Sequence, residues 1–240
     1  MDLVNKLTQP FSNLTFEEKK HKYFVEGKPI KTSVSGLISE FYEHFNAQAV
    51  APFSARKLGI TTEEVLKQWA DINQESRDRG HRVHNFGELY QFNRSLKPSC
   101  PQEEAIVAFW KSLPEHIIPV AAELRMYHFK YLFAGTADII LFDTKTQTYI
   151  IADYKTNKDL LKNFKGKTML APFEALLDCP LNHYVVQLSY YQLLLEQIGV
   201  KVTKRVIIWL ELDGTFTCIN TDDVSSILKQ NLKLKNDEKI

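Results

Sequence analysis

The sequence predicts one α/β domain, with a central mixed sheet of about four or five strands, helices on both faces and a mostly helical N-terminal region. Two patterns and the composition carry this prediction. Residues 117–156, "IIPVAAELRMYHFKYLFAGTADIILFDTKTQTYIIADYKT", are rich in β-branched and aromatic residues broken by short polar turns, as in a three-strand meander. Before and after that stretch, apolar residues recur at helical spacing. With 240 residues, 44% of them hydrophobic and 25% charged, the chain can bury one substantial core and has neither disordered nor fibrous character.

Each element has a local reason. "NLTFEEKKHKYFVEGKPI" reads as a hairpin turning at Glu26-Gly27. "TSVSGLISEFYEHF" sets Leu37, Ile38, Phe41, Tyr42 and Phe45 on one helix face, with Ser33 or Ser35 as N-cap. "TTEEVLKQWADINQESRDRGHRVHNFGELYQF" opens with the capping box Thr61/Glu64 and stays helical to Phe92, as one helix or a pair broken at Gly80 or Gly87. A further helix begins at Pro101. After the meander and a polar linker, "HYVVQLSYYQLLLEQIG" is a strongly apolar helix ending at Gly199. Two strands around Asp213-Gly214, a last helix in "DDVSSILKQNLKL" and a frayed tail, "KNDEKI", complete the chain. The natural divisions are 1–116, hairpin plus helical region; 117–220, sheet core; and 221–240, helix and tail.

Composition excludes several classes. The N-terminus lacks an apolar signal core, and no run of about 18 apolar residues could span a bilayer, so neither export nor a membrane partner is expected. Cys100, Cys179 and Cys218 form no C-x-x-C pair, which predicts reduced thiols in a cytoplasmic setting. A net charge of +1 is too small for a protein that coats nucleic acid. Any polyanion site is therefore local: Arg77, Arg79 and Arg82, or Lys155, Lys158, Lys162, Lys165 and Lys167. Solvated surface is the plain alternative for either patch.

The chemistry concentrates in "GTADIILFDTKTQTYIIADYKT". An antiparallel turn centred between Lys145 and Thr146 sets Asp138 opposite Asp153, about 5 Å away on the same sheet face. Lys155, two residues beyond Asp153, shares that face. Opposed carboxylates repel and call for a cation; Mg²⁺ or Mn²⁺ fits, and Lys155 could orient a water or stabilise charge on a phosphate. A second turn centred on Lys130-Tyr131 would add Glu123 opposite Asp138, although a one-residue slip would turn it to the other face.

On the long helix, Gly80-x-x-x-His84 with Glu88 one turn on aligns an imidazole and a carboxylate. Gln187-x-x-x-Tyr191 forms a similar pair on the apolar helix. Alone, His84 reads as a surface or core histidine, and the Gln/Tyr pair as the polar edge of a core helix. The ordered set of His84, Glu123, G-x-x-Asp138, Asp153-x-Lys155-Thr156 and Gln187-x-x-x-Tyr191 resembles the RecB-like branch of the PD-(D/E)XK nuclease superfamily, particularly its phage-type and mitochondrial genome maintenance exonucleases. The resemblance runs from "KYFVEGKPIKTSVSGLI" to Leu210.

That resemblance implies a restriction-endonuclease-like core and a Mg²⁺- or Mn²⁺-dependent DNA nuclease. The expected substrate is single-stranded DNA or DNA ends, in replication, recombination or repair, in a bacterial or phage-infected cytoplasm. It implies Asp138, Asp153 and His84 as metal ligands, with Glu123 as a further one, and Lys155 as the catalytic lysine. Gln187, Tyr191, Thr156 and Lys158 fall on the substrate side, and Glu88 supports the site. Some relatives carry an iron–sulfur cluster on four cysteines, which three cannot supply. An endonuclease or defence nuclease of the same fold, and a non-catalytic nucleic-acid-binding protein, are the alternatives. Tyr184, Tyr190 and Phe173 could stack bases or fill the core. The arginine and lysine patches flank the site in sequence and would form a basic passage for one strand if they also flank it in space.

Overall fold

The computed structural model describes residues 2–20 and 22–237. A short helix, α1 (Leu3–Thr8), is capped by the Asp2 carboxylate, which accepts from the Val4 N–H. Strands β1 (Leu14–Glu17), β2 (Lys22–Val25) and β3 (Lys28–Pro29) form a small antiparallel sheet, and the β2–β3 turn is Glu26-Gly27, both at positive φ. Strand β4 (Thr32–Ser33) leads into α2 (Val34–Ile38), with Ser33 as the N-cap. The helix expected to reach Phe45 stops early: a 3-10 turn spans Ser39–Phe41 and Tyr42 is extended. Ser35, Gly36 and Ser39 are poor helix formers, and Leu37, Ile38 and Phe41 are already buried by then.

Helix α3 (Ala47–Leu58) runs from an Asn46 cap to Gly59 at φ 70° and packs against α4 (Thr62–Phe92). The capping box at Thr61 and Glu64 is present, and α4 is one continuous helix of 31 residues. Neither glycine breaks it. Gly87 instead lets the helix approach the sheet, because a Cβ there would fall 2.4 Å from Cε2 of Tyr154. Helix α5 (Pro101–Ser112) follows.

The meander forms as β5 (Ile117–Tyr127), β6 (Phe133–Asp143) and β7 (Thr148–Lys155); α6 (Pro180–Glu196), β8 (Val202–Leu210), β9 (Phe216–Asn220) and α7 (Ser225–Asp237) complete the chain. The main sheet has six strands rather than four or five, in the order β4-β6-β7-β8-β9 with β5 on the other edge of β6. The extra strand is β4, two residues long and parallel to β6 at Phe133 and Ala134. β7 and β8 are also parallel, so the sheet is mixed.

Two cores sandwich this sheet. On one face Tyr149, Ile151, Ala137, Ile140 and Ile207 pack with Leu188, Tyr190 and Leu194 of α6 and Leu228 of α7. On the other, Ile139, Leu141, Ile150, Tyr154 and Ile208 pack with Val83 and Tyr90 of α4 and Ile106, Phe109 and Trp110 of α5. Among the described residues, no helix is long and apolar enough to cross a membrane. The expected tail at 235–240 lies partly outside the described residues.

Candidate active site

The β6–β7 ladder pairs Asp143 with Thr148 and closes at Ile139 with Ala152. The next step of that register is Asp138 opposite Asp153, as the turn symmetry predicts. Beyond it the strands part, and β4 takes the edge of β6 at Phe133 and Ala134. Asp138 fills the fork: its Oδ2 accepts from the Tyr154 N–H at 3.0 Å, taking up a donor that the ladder no longer pairs. Tyr154 is fixed in turn by Trp110, whose Nε1 donates to its hydroxyl at 2.8 Å.

Glu123 lies between the pairs Ala122↔Ile139 and Leu124↔Ala137, and so opposite Asp138 as the second turn predicts. Its φ is 47°, a conformation that costs a non-glycine residue about 1–3 kcal/mol and recurs at functional sites. His84 reaches the fork from α4, with Nδ1 3.0 Å from Oδ2 of Asp138. Ligand atoms of His84, Glu123 and Asp138 all lie within 4.8 Å of one another.

Asp153 is outside that triplet. It is 1% exposed and its carboxylate is paired with Lys155, whose ammonium also lies 4.2 Å from the ring centroid of Tyr184. Alternation puts both residues on the α6 face, with Tyr149 and Ile151.

The electrostatics are those of crowded carboxylates. Burial, then the charges of Asp138 and Glu88, push Glu123 up to about 7. Burial and the charge of Asp138 push Asp153 up to about 6, against the pull of Lys155. Asp138 is also buried, but the adjacent His84 and Lys155 and the Tyr154 N–H hold it below the ordinary carboxylate range. Burial disfavours charge on His84, yet Asp138 outweighs it and holds the imidazole above its usual value. Lys155, also buried, stays charged because Asp153 faces it.

Other expected residues divide. Thr156 and Lys158 follow β7 on the side of α4: Thr156 Oγ1 is 3.6 Å from where a Cβ on Gly80 would be, and both residues line a cleft with Arg77 and Arg79. Glu88 is an exposed residue of α4 whose charge acts on Glu123. The substrate-side expectation for Tyr191 is corrected. Its side chain is 4% exposed, and its hydroxyl accepts from Gln187 Nε2 at 2.8 Å, so it braces the site from within. Gln187 is half-buried and held by that bond.

Of the aromatic candidates, Tyr190 and Phe173 are core residues, whereas Tyr184 is half-buried beside Lys155. The basic passage forms only in part. Arg82 lies 3.9 Å from Glu103 of α5, Lys167 pairs with Glu43, and Lys162 and Lys165 are exposed outside the cleft at which Arg77, Arg79 and Lys158 meet.

Two supporting residues have roles that sequence reasoning did not assign, although the G-x-x-Asp138 spacing includes the first of them. Gly135 admits the Tyr191 ring, since a Cβ there would be 2.7 Å from its Cε1; a glycine three residues before Asp138 was the available signal. Asn157 ties the post-β7 segment down, accepting from Tyr184 at its side chain and from Trp209 Nε1 at its carbonyl. Nothing in the residue types around it announces this. No family model matches the chain, and a search of curated proteins finds no match.

Proposed function

We propose that the protein is a divalent-metal-dependent nuclease that hydrolyses DNA phosphodiesters, acting as an exonuclease on single strands or ends. The observation that carries the reading is the fork itself. One imidazole and two carboxylates converge within 4.8 Å, beside a buried lysine–aspartate pair.

The donor set suits a hard divalent ion that tolerates one nitrogen, Mg²⁺ or Mn²⁺. Glu123 and Asp153 are both shifted upward, Asp153 even with Lys155 beside it, so the site holds more acid than its own cations offset. His84, Glu123 and Asp138 would hold the ion, with Asp153 adjacent. When bound, it supplies Lewis-acid polarisation of a phosphoryl oxygen and a water of lowered pKa.

The chain's own residues do the rest. Lys155 keeps a buried positive charge next to the carboxylates, where it can hold a water for attack and stabilise negative charge developing on the phosphate. Tyr154 and Trp110 fix Asp138 through the backbone N–H, and Tyr191 and Gly135 fix the sheet from the α6 side. The strain at Glu123 fits a side chain held for chemistry rather than for packing. Work on DNA in replication, recombination or repair is consistent with a bacterial or phage-infected cytoplasm.

The test uses end-labelled single-stranded DNA, linear duplex and closed circular duplex, each with EDTA, Mg²⁺ or Mn²⁺. The reading expects stepwise shortening of linear single strands that requires the metal, with closed circles left intact. Linearisation of the circle at a similar rate would replace it with the endonuclease alternative. Retention of labelled DNA without hydrolysis in any metal would favour the non-catalytic one.

A further inference from the structure

We infer that the cleft between α4 and the segment after β7 is a phosphate subsite that grips the substrate strand away from the point of cleavage; this rests on the nuclease reading above. The cleft has a volume of about 360 Å³. Arg77 and Arg79 of α4 and Lys158 bring three cations to it, and Asn73, Ser76 and Thr156 bring neutral polar groups. Among the described residues that line it, none is acidic. Of the acids nearby, Asp78 is held on α4, where Gln74 Nε2 donates to it at 2.7 Å, and Glu211 and Asp213 line an adjoining cleft that shares Asn157 and Lys158.

Ordinary surface cations point into water, but Nε of Arg79 is closed to solvent and has no hydrogen-bond partner. A buried donor without a partner is costly and leaves Arg79 with hydrogen-bonding capacity unmet inside the structure, while the cations that line the cleft are what an acceptor from outside would meet. Asn157 adds to this. Its side-chain oxygen is taken by Tyr184 and its carbonyl by Trp209, which leaves its amide NH₂ as the group it can offer a ligand.

Position ties the cleft to the fork. Asn73, Arg77, Gly80 and His84 share one stripe of α4, and seven residues of helix from His84 to Arg77 span about 10 Å. Thr156 directly follows Lys155 on the opposing wall. A strand whose scissile phosphate lies at the fork would therefore bring a neighbouring internal phosphate to the cleft. Charge, unpartnered donors and spacing describe a sequence-independent grip on the backbone, with no requirement for a terminal phosphate.

The experiment measures binding of a fluorescein-labelled single-stranded oligonucleotide with hydroxyl ends, in EDTA, over a series of salt concentrations. Each phosphate contact contributes about 0.7 to the slope of log affinity against log salt for a single strand. Arg79→Gln and Lys158→Gln should each make the slope shallower by about 0.7, while Lys204→Gln, on the exposed surface of β8, leaves it unchanged. Lys158 is exposed, so its variant keeps the test valid if the Arg79 variant folds poorly. Slopes equal to wild type in both variants, or no binding by the wild type, overturn the subsite. Shallower slopes in a protein that hydrolyses nothing would uphold the subsite and sink the nuclease reading, whereas full hydrolysis with unchanged slopes does the reverse.

Discussion

On one stripe of α6, Gln187 and Tyr191 lie beside Asp138 and Asp153; on the next, Gln192 and Glu196 join Arg205 of β8 and Asp223 ahead of α7. The second cluster is nearly closed, with Nε of Arg205 its one buried polar side-chain atom without a partner among the described residues. Gln192 accepts from Arg205 and donates to Glu196 at 2.7 Å and to Asp223 at 2.9 Å. Lys229 pairs with Glu196 at 2.9 Å, so two acids meet two cations. Burial works against the charge on Asp223, but Ser225, Gln192 and Arg205 outweigh it and hold its pKa below the ordinary range. The first cluster is open: Glu123, Asp138 and Asp153 face only Lys155 and a histidine, and two of the three acids are pushed up. The first cluster is the more deeply buried, since in the second Asp223 and Lys229 are about half exposed. The balance of charge separates a network that holds the fold from one with an excess of acid.

The sharpest way to break this contrast is to cut each cluster at its cation. Lys155→Ala should slow single-turnover DNA hydrolysis on the order of 10³-fold per folded molecule, at a cost in stability because Asp153 is left buried without its partner. Asp153→Asn should behave alike. Arg205→Ala should leave turnover per folded molecule unchanged and lose about 1–2 kcal/mol in urea unfolding, because Gln192 is left buried without its donor while Asp223 reaches solvent. An equal loss of turnover per folded molecule at Arg205 and at Lys155 would erase the distinction.

A smaller effect tests the crowding of acids. Glu123 moves from an ordinary value of 4.5 to about 7 in the folded protein, so its ionisation destabilises the metal-free fold progressively as pH rises across that window. Glu123→Gln removes the term. Its stability relative to wild type should therefore climb by about 1–2 kcal/mol from the acid to the alkaline side of the window in EDTA. Mn²⁺ should close the gap; a gap independent of pH would place Glu123 outside the cluster. The smallest effect concerns metal choice. An imidazole suits Mn²⁺ better than Mg²⁺, and the wild-type preference for Mn²⁺ should shrink about tenfold in His84→Ala. Activity titrations with both ions in both proteins check this.

Much of the site was legible because strand geometry is arithmetic. Turn midpoints alone set Asp138 against Asp153 and Glu123 against Asp138, and the ladders follow those registers. The positive φ at Glu123 was not legible, since no residue type there marks a left-handed backbone. Arg82 could have been read better: two residues from His84 on a helix is nearly the opposite face, and there it meets Glu103. Helix α3 escaped notice because Pro52 interrupts its pattern. The burial of Tyr191 was hidden for another reason. α6 is apolar nearly all round, so periodicity gives its polar edge no direction.

The most direct test of the proposal that the fork binds a divalent cation is calorimetric titration of Mn²⁺ into the metal-free protein near neutral pH. The account predicts binding at one site in wild type, with proton release as His84 gives up its charge, and loss of that binding in Asp138→Asn at unchanged fold. Absence of binding in the wild type, or equal binding in the variant, would contradict it.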